Sequence, residues 1–169
     1  VPHPFAQRRL AVSTASLTFR SPVAGALTAL VSDHVVQGRV IVPGAGFLEQ
    51  ARAACSAGSS TSGAALHGVF FLQPLAVEAA GSHVECEVAD GRFEVRSGDI
   101  ADEFTLADAT VHCSGGSAHS SAEGWQRVGH AMVRSQLSMR TVEVDNIYDG
   151  YHFIGIQYGP QYRTLVQAW

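Results

Sequence analysis

His34 stands in surroundings that suit proton transfer. Three residues separate it from Gly38, and four more lead to Pro43 and Gly44. An imidazole titrates near neutrality, so it can serve as a base at physiological pH. Gly38 permits close backbone approach, and Pro43 fixes the entry into whatever follows it. Gly44 would then sit at the start of a helix, where free backbone N–H groups can polarise a carbonyl oxygen. A second stretch, Gly155-Ile156-Gln157-Tyr158-Gly159-Pro160-Gln161-Tyr162, adds phenols beside a Gly-Pro turn. Glu49 is a third candidate, on the segment that follows Gly44.

These residues need elements to hold them. Ala45, Phe47, Leu48, Ala51 and Ala54 to Cys55 recur at helical spacing, with Glu49 and Arg52 between them. The spacing predicts a mostly buried helix over Gly44 to Ala57, followed by a small polar loop over Ser56 to Gly63. Before the helix, Arg9 to Phe19 alternates and suggests one strand. Leu27 to Val31 is a short apolar run. Arg39 to Val42 reads as a strand. After that loop the texture is mainly β. Leu66 to Leu72 reads as a strand. His83 to Val88 and Arg92 to Arg96 alternate around Asp90-Gly91, a hairpin signal. Phe104 to Cys113 reads as a strand, and Ser114 to Gly124 as a Gly/Ser/His-rich loop or linker. Asn146 to Phe153 reads as a short helix with Asp145 as N-cap. Tyr162 to Trp169 reads as a new strand in which the chain stops. No internal repeat is found. One buried helix among antiparallel strands is an α+β pattern, a sheet wrapped around a helix.

Composition excludes several function classes. The chain has 169 residues, 46% hydrophobic and 15% charged, enough for a domain with its own core. Its 11 basic and 15 acidic residues give a net charge of -4, unlike the basic footprint of a nucleic-acid binder. No apolar stretch approaches the roughly 20 residues that span a bilayer, so a cytoplasmic location is expected. Cys55, Cys86 and Cys113 form no CxxC pair, which argues against a disulfide framework or a zinc cluster. They are expected to be buried thiols. His83 with Glu85, and His112 with nearby Glu residues, are expected to be solvated strand faces, and no metal is expected. Val1-Pro2-His3-Pro4 lacks an initiator Met and a secretory pattern, and reads as the edge of a piece of something longer.

The stretch Asp33 to Glu49 resembles the polyketide synthase dehydratase family. The family signature is His, three residues, Gly, four residues, Pro, and His34, Gly38 and Pro43 match it. The preceding Asp33, and a Pro-Gly step into a helix bearing an aromatic residue and a Glu, match as well. His3-Pro4 with Arg8-Arg9-Leu10 resembles the family's opening segment. Gly155 to Tyr162 resembles its Gly-x-x-Tyr-Gly-Pro-x-Phe motif, with Tyr162 in place of the Phe. Tyr148 and Tyr151 precede it at the family's offsets. The middle of the chain resembles the family only in texture.

The resemblance implies a hotdog fold, the first half of a double hotdog. Residues 1–140 would form that first hotdog. Residues 141–169 would be a linker and the truncated start of the second. It implies syn-type elimination of water from a 3-hydroxyacyl thioester, with His34 as the catalytic base. Gly38, Pro43, Gly44, Tyr158, Gly159 and Pro160 would contact substrate, Tyr158 lining its tunnel or hydrogen-bonding near the acid. The family's acid is an Asp of the second hotdog, expected beyond Trp169; Asp145 and Asp149 do not match its motif. No cofactor would be bound. The substrate would arrive on the phosphopantetheine arm of an acyl carrier protein. Other partners would be the second hotdog half and neighbouring synthase domains. A lone half would expose a sheet edge and favour homodimers or aggregation. The same site could also serve cyclisation by oxa-Michael addition. Two alternatives differ in kind. One is a stand-alone single-hotdog homodimer using His34 and Glu49 from opposite subunits. The other is an inactive hotdog serving a structural role in a megasynthase.

Overall fold

The computed structural model describes residues 3–10, 15–57, 64–78, 81–119, 129–137 and 142–168. The chain divides into two compact units. One comprises Val1–Ser32 with Arg39–Ser120, the other Asp33–Gly38 with Ser121–Trp169.

The first unit is built on a six-stranded antiparallel sheet. Its strands are β1 (Arg8–Leu10), β2 (Ser16–Pro22), β5 (Ala64–Phe71), β6 (His83–Ala89), β7 (Arg92–Ile100) and β8 (Leu106–His119), ordered β1-β2-β6-β7-β8-β5. The two-residue strand β4 (Arg39–Val40) and helix α1 (Ala26–Val31) complete the unit around helix α2 (Gly44–Ala57). Helix α2 lies against β2, β5, β6 and β7. It buries Phe47, Ala51, Ala54 and Cys55 against Phe19, Val84, Cys86, Phe93, Val95 and Cys113. Its Ala-rich inner face suits this. Small side chains let the helix backbone approach the sheet, and Ala has the highest helix propensity. Burial pushes the Cys113 thiol up to about 11 and the Cys86 thiol higher still, so both remain protonated fillers of the core.

Helix α2 has the boundaries expected from its periodicity. The β6–β7 hairpin also turns at Asp90-Gly91, with Ala89 paired to Arg92. Other expectations are corrected. The single strand expected over Arg9 to Phe19 is two antiparallel strands, with Arg9 opposite Phe19; residues 11–14 lie outside the described residues. The Leu27 to Val31 run belongs to α1, which buries Leu27 and Val31. The expected strand over Arg39 to Val42 is β4 plus an isolated bridge from Ile41 to Ala76. Residues 114–119 extend β8 instead of forming a loop, because Gly115 and Ser114 pair with Phe93 and Glu94 of β7. The expected loop over 58–63, and the part of the other over 120–124, lie outside the described residues.

Of the polar residues expected on solvated strand faces, Glu85 and His112 are buried, while His83 is only partly covered. Glu85 on β6 is 0% exposed and Arg20 on β2 is 4% exposed. Arg20 Nε donates to Glu85 Oε1 at 2.6 Å, and Arg96 Nε donates to Oε2 at 3.2 Å. Arg20 Nη1 also donates to the carbonyl of Glu103 at 3.1 Å. His112 on β8 is buried and stacks on Phe47, ring centroids 5.7 Å apart. Its Nδ1 lies 3.1 Å from the Gln73 carbonyl, and its Nε2 lies 2.7 Å from the Ser97 hydroxyl. A carbonyl can only accept, so the neutral ring donates from Nδ1 and accepts at Nε2.

Burial lowers the pKa of His112 from its ordinary 6.5, with hydrogen bonds at Gln73 and Pro74 working against it. The folded state therefore resists a proton that the unfolded chain accepts. Its contribution is fully present above the ordinary value and is lost as pH falls through the lowered one. The melting temperature is expected to drop between pH 7 and 5, and to drop less in His112→Asn. Parallel curves for the two proteins would refute this assignment.

The second unit contains β3 (His34–Val36), β9 (Ile156–Tyr158), α3 (His130–Leu137), α4 (Val144–Phe153) and a 3-10 turn over Pro160–Tyr162. Helix α4 starts earlier than expected. Glu143 occupies the N-cap position, and Asp145 lies in the first turn, where a negative charge meets the positive end of the helix dipole. The strand expected over Tyr162 to Trp169 is absent among the described residues; Ala168 makes an isolated bridge to Val142, and Trp169 lies outside them. Among the described residues no helix is long and apolar enough to cross a membrane.

Candidate active site

His34 is the first residue of β3, and β3 pairs antiparallel with β9. The register places His34 opposite Tyr158, Val35 opposite Gln157 and Val36 opposite Ile156. β-branched Val35 and Val36 favour this extended backbone. After them Gln37 and Gly38 both take positive φ, 51° and 77°, which reverses the chain. The Gly38 N–H donates to Gln157 Oε1 at 2.8 Å, and the Gln37 N–H donates to the Gly155 carbonyl at 2.6 Å. The C-terminal end of β3 is thus fastened to the segment that carries Tyr158.

An aromatic cluster follows from that register. The imidazole of His34 lies 5.3 Å from the ring of Tyr158 and 5.3 Å from that of Tyr162. Tyr158 and Tyr162 are 5.7 Å apart. Tyr151 meets Tyr158 edge-on at 5.9 Å, and Tyr148 meets Tyr151 edge-on at 6.1 Å. Such tilted and T-shaped pairs are the favoured aromatic geometries, each adding about 0.5–1.5 kcal/mol beyond area burial. Tyr148 is buried, accepts the Leu165 N–H at its hydroxyl at 3.0 Å, and carries the Arg163 guanidinium over its ring at 5.3 Å. Burial raises the pKa of the Tyr162 phenol, with Tyr158 and Asp33 adding to it. That phenol stays protonated and can donate a hydrogen bond.

Gly159 and Pro160 form the turn between Tyr158 and Tyr162. The Gly159 N–H donates to the Asp33 carbonyl at 2.8 Å, and a Cβ on Gly159 would overlap the Asp33 carboxylate. The second unit therefore brings together His34, Gly38, Tyr158, Gly159 and Pro160. Pro43 and Gly44 belong to the first unit, where Gly44 opens α2 and the Pro43 carbonyl accepts the Gly46 N–H at 2.8 Å. Four residues of the cluster were not among the site residues selected from sequence: Tyr148 and Tyr151, noted only for their offsets, and Tyr162 and Asp33. Tyr162 was visible only as a departure from Phe, and Asp33 only as the residue before the His.

Glu49, the alternative acid, is held in an ion-pair network. Arg52 donates to it through Nε and Nη2 at 2.9 and 2.8 Å, and His3 Nε2 lies 3.0 Å away. Arg52 holds the Glu49 carboxyl below the usual carboxylate range, partial burial works against this, and His3 adds to the lowering. A general acid needs the opposite, a carboxyl that keeps its proton near neutrality. Glu49→Gln is expected to leave turnover near wild type. A loss of roughly 10²–10⁴-fold, the usual effect of removing a general acid, would reinstate Glu49.

A family model described as "Polyketide synthase dehydratase domain" matches residues 3–111. The chain belongs to the polyketide synthase dehydratase family. Its sheet wrapped around α2 is the hotdog fold of that family. The chain is similar to Polyketide synthase PksN of Bacillus subtilis (strain 168), 30% identical over 145 residues, covering 80% of this chain and 3% of PksN. It is similar in structure to the dehydratase domain from the CurF module of curacin polyketide synthase, TM-score 0.85 at 21% identity, covering 99% of this chain and 61% of that one. The CurK dehydratase domain of the same synthase matches at TM-score 0.80 and 20% identity, covering 98% of this chain and 59% of that one. CurK structures include a His-to-Phe and an Asp-to-Asn variant, each described as inactive. The chain thus spans about three fifths of these solved dehydratase chains and a small fraction of PksN.

Proposed function

We propose that this chain is the first hotdog of a dehydratase domain in a modular polyketide synthase. Residues 1–140 form the hotdog, and 141–169 are a linker and the start of the second. The reaction removes water from a 3-hydroxyacyl thioester by syn-type elimination. His34 takes the Cα proton, and the C–H electrons become the Cα–Cβ double bond. The Cβ–O bond breaks, and the hydroxyl leaves as water with a proton from an Asp of the second hotdog. N–H groups around Gly44 polarise the thioester carbonyl as Cα gains charge. Gly38, Pro43, Tyr158, Gly159 and Pro160 are the other substrate contacts of this reading.

The observation that carries this reading is the setting of His34. It is strand-held, opposite Tyr158, with two tyrosine rings against its imidazole. The two inactive CurK variants lend support, since they concern the same two residue types. The ion pairs of Glu49 weigh against a stand-alone His34/Glu49 enzyme. The substrate comes on the phosphopantetheine arm of an acyl carrier protein, and no cofactor is bound. The second hotdog half, neighbouring synthase domains and a second copy in a homodimer are the other expected partners, and the location is cytoplasmic. The test is to give the full-length parent protein a 3-hydroxyacyl carrier-protein thioester and follow loss of one water by mass. Enoyl thioester formation supports the reading. Unchanged substrate, with a known dehydratase active in parallel, would favour the inactive structural hotdog.

A further inference from the structure

We propose that Asp33 is a positioning residue for His34: from the turn just before β3 it caps the Pro160–Tyr162 turn and so holds the Tyr162 ring against the imidazole. This rests on the reading of His34 as base. The first N–H groups of a helical turn lack partners within it. The residue at the N-cap position is Gly159, which has no side chain to satisfy them. Asp33 does so instead. Its Oδ2 accepts the Gln161 N–H at 2.8 Å, across 128 residues of sequence. Its carbonyl accepts the Gly159 N–H at 2.8 Å. A carboxylate on a backbone N–H at a helix start is a charge-assisted bond, stronger than a neutral one. The missing Cβ of Gly159 leaves the space that the carboxylate fills.

Asp33 directly precedes His34, and Tyr162 directly follows Gln161. The two bonds therefore couple the backbone of the base to the turn that sets the Tyr162 ring, 5.3 Å from His34. Without the cap the turn loses its external anchor at Gln161. The imidazole then samples orientations that do not face the Cα proton. The defect falls mainly on the chemical step, because the cap holds the base, with a smaller effect on binding through Gly159 and Pro160 of the same turn.

The test compares Asp33→Ala, Asp33→Asn and His34→Ala in the full-length parent protein. Asp33→Ala is expected to lower kcat about ten- to hundredfold, the range of a slightly misplaced catalytic group, with KM rising by a smaller factor. Asp33→Asn keeps an acceptor oxygen and is expected to restore kcat to within about threefold, as Asn and Asp are similar caps. Wild-type kcat in Asp33→Ala overturns the proposal, and so does an Asn variant as impaired as the Ala one. If Asp33→Ala does not fold, Gly159→Ala decides, since its methyl displaces the carboxylate; wild-type kcat there overturns the proposal. A His34→Ala variant that still turns over overturns the underlying function instead, whatever Asp33 does.

Discussion

His34→Ala is expected to slow enoyl thioester formation by about 10²–10⁴-fold while the fold persists. The ring is the only part removed. The backbone of residue 34 remains paired with Tyr158, and the flanking bonds at Gln37 and Gly38 do not involve the imidazole. Single-turnover conversion by the full-length protein, read by mass, measures the chemistry. A thermal melt beside it separates lost chemistry from lost structure. A variant with rates within a few-fold of wild type and an unchanged melt would remove His34 from the mechanism.

The largest stability effect is expected from Glu85→Ala. Arg20 would stay buried with its charge uncompensated, and Arg96 would lose one of its carboxylates. Removing one partner of a buried pair costs about 3–5 kcal/mol. In a protein of this size that corresponds to a fall of roughly 10 °C in melting temperature. Replacing both partners by apolar residues, Arg20→Met with Glu85→Leu, is expected to recover much of the loss, because no bare charge remains. Equal destabilisation in the single and double variants would show that packing, not charge, is what the pair supplies.

Local patterns in the sequence read well where a residue's neighbours in space are its neighbours in sequence. Helix α2 has its expected boundaries because its period and its flanking Pro and Gly lie within one segment. The Asp90-Gly91 hairpin is equally local. Glu85 and His112 were misread because their partners come from elsewhere: Arg20 is 65 residues from Glu85, and Gln73 is 39 residues from His112. Alternation shows that two residues share a face, but not that the face is covered. Residues 114–119 were misread because their small side chains lack strand propensity; a ladder with β7 on one side and β5 on the other overrides that. The candidate site was half legible. His34 and Tyr158 stood out through motif spacing, but their direct pairing is a matter of sheet register, which no spacing encodes.

The bonds that fasten Asp33 to Gln161 also have a consequence in time. A ribosome delivers one partner 128 residues before the other. At typical elongation rates this separates them by roughly six to twenty-five seconds. During that interval the nascent histidine lacks β9, the strand that carries Tyr158, and the Tyr162 ring. Competence for chemistry is thus a late event in the chain's biogenesis, however early the base itself is made.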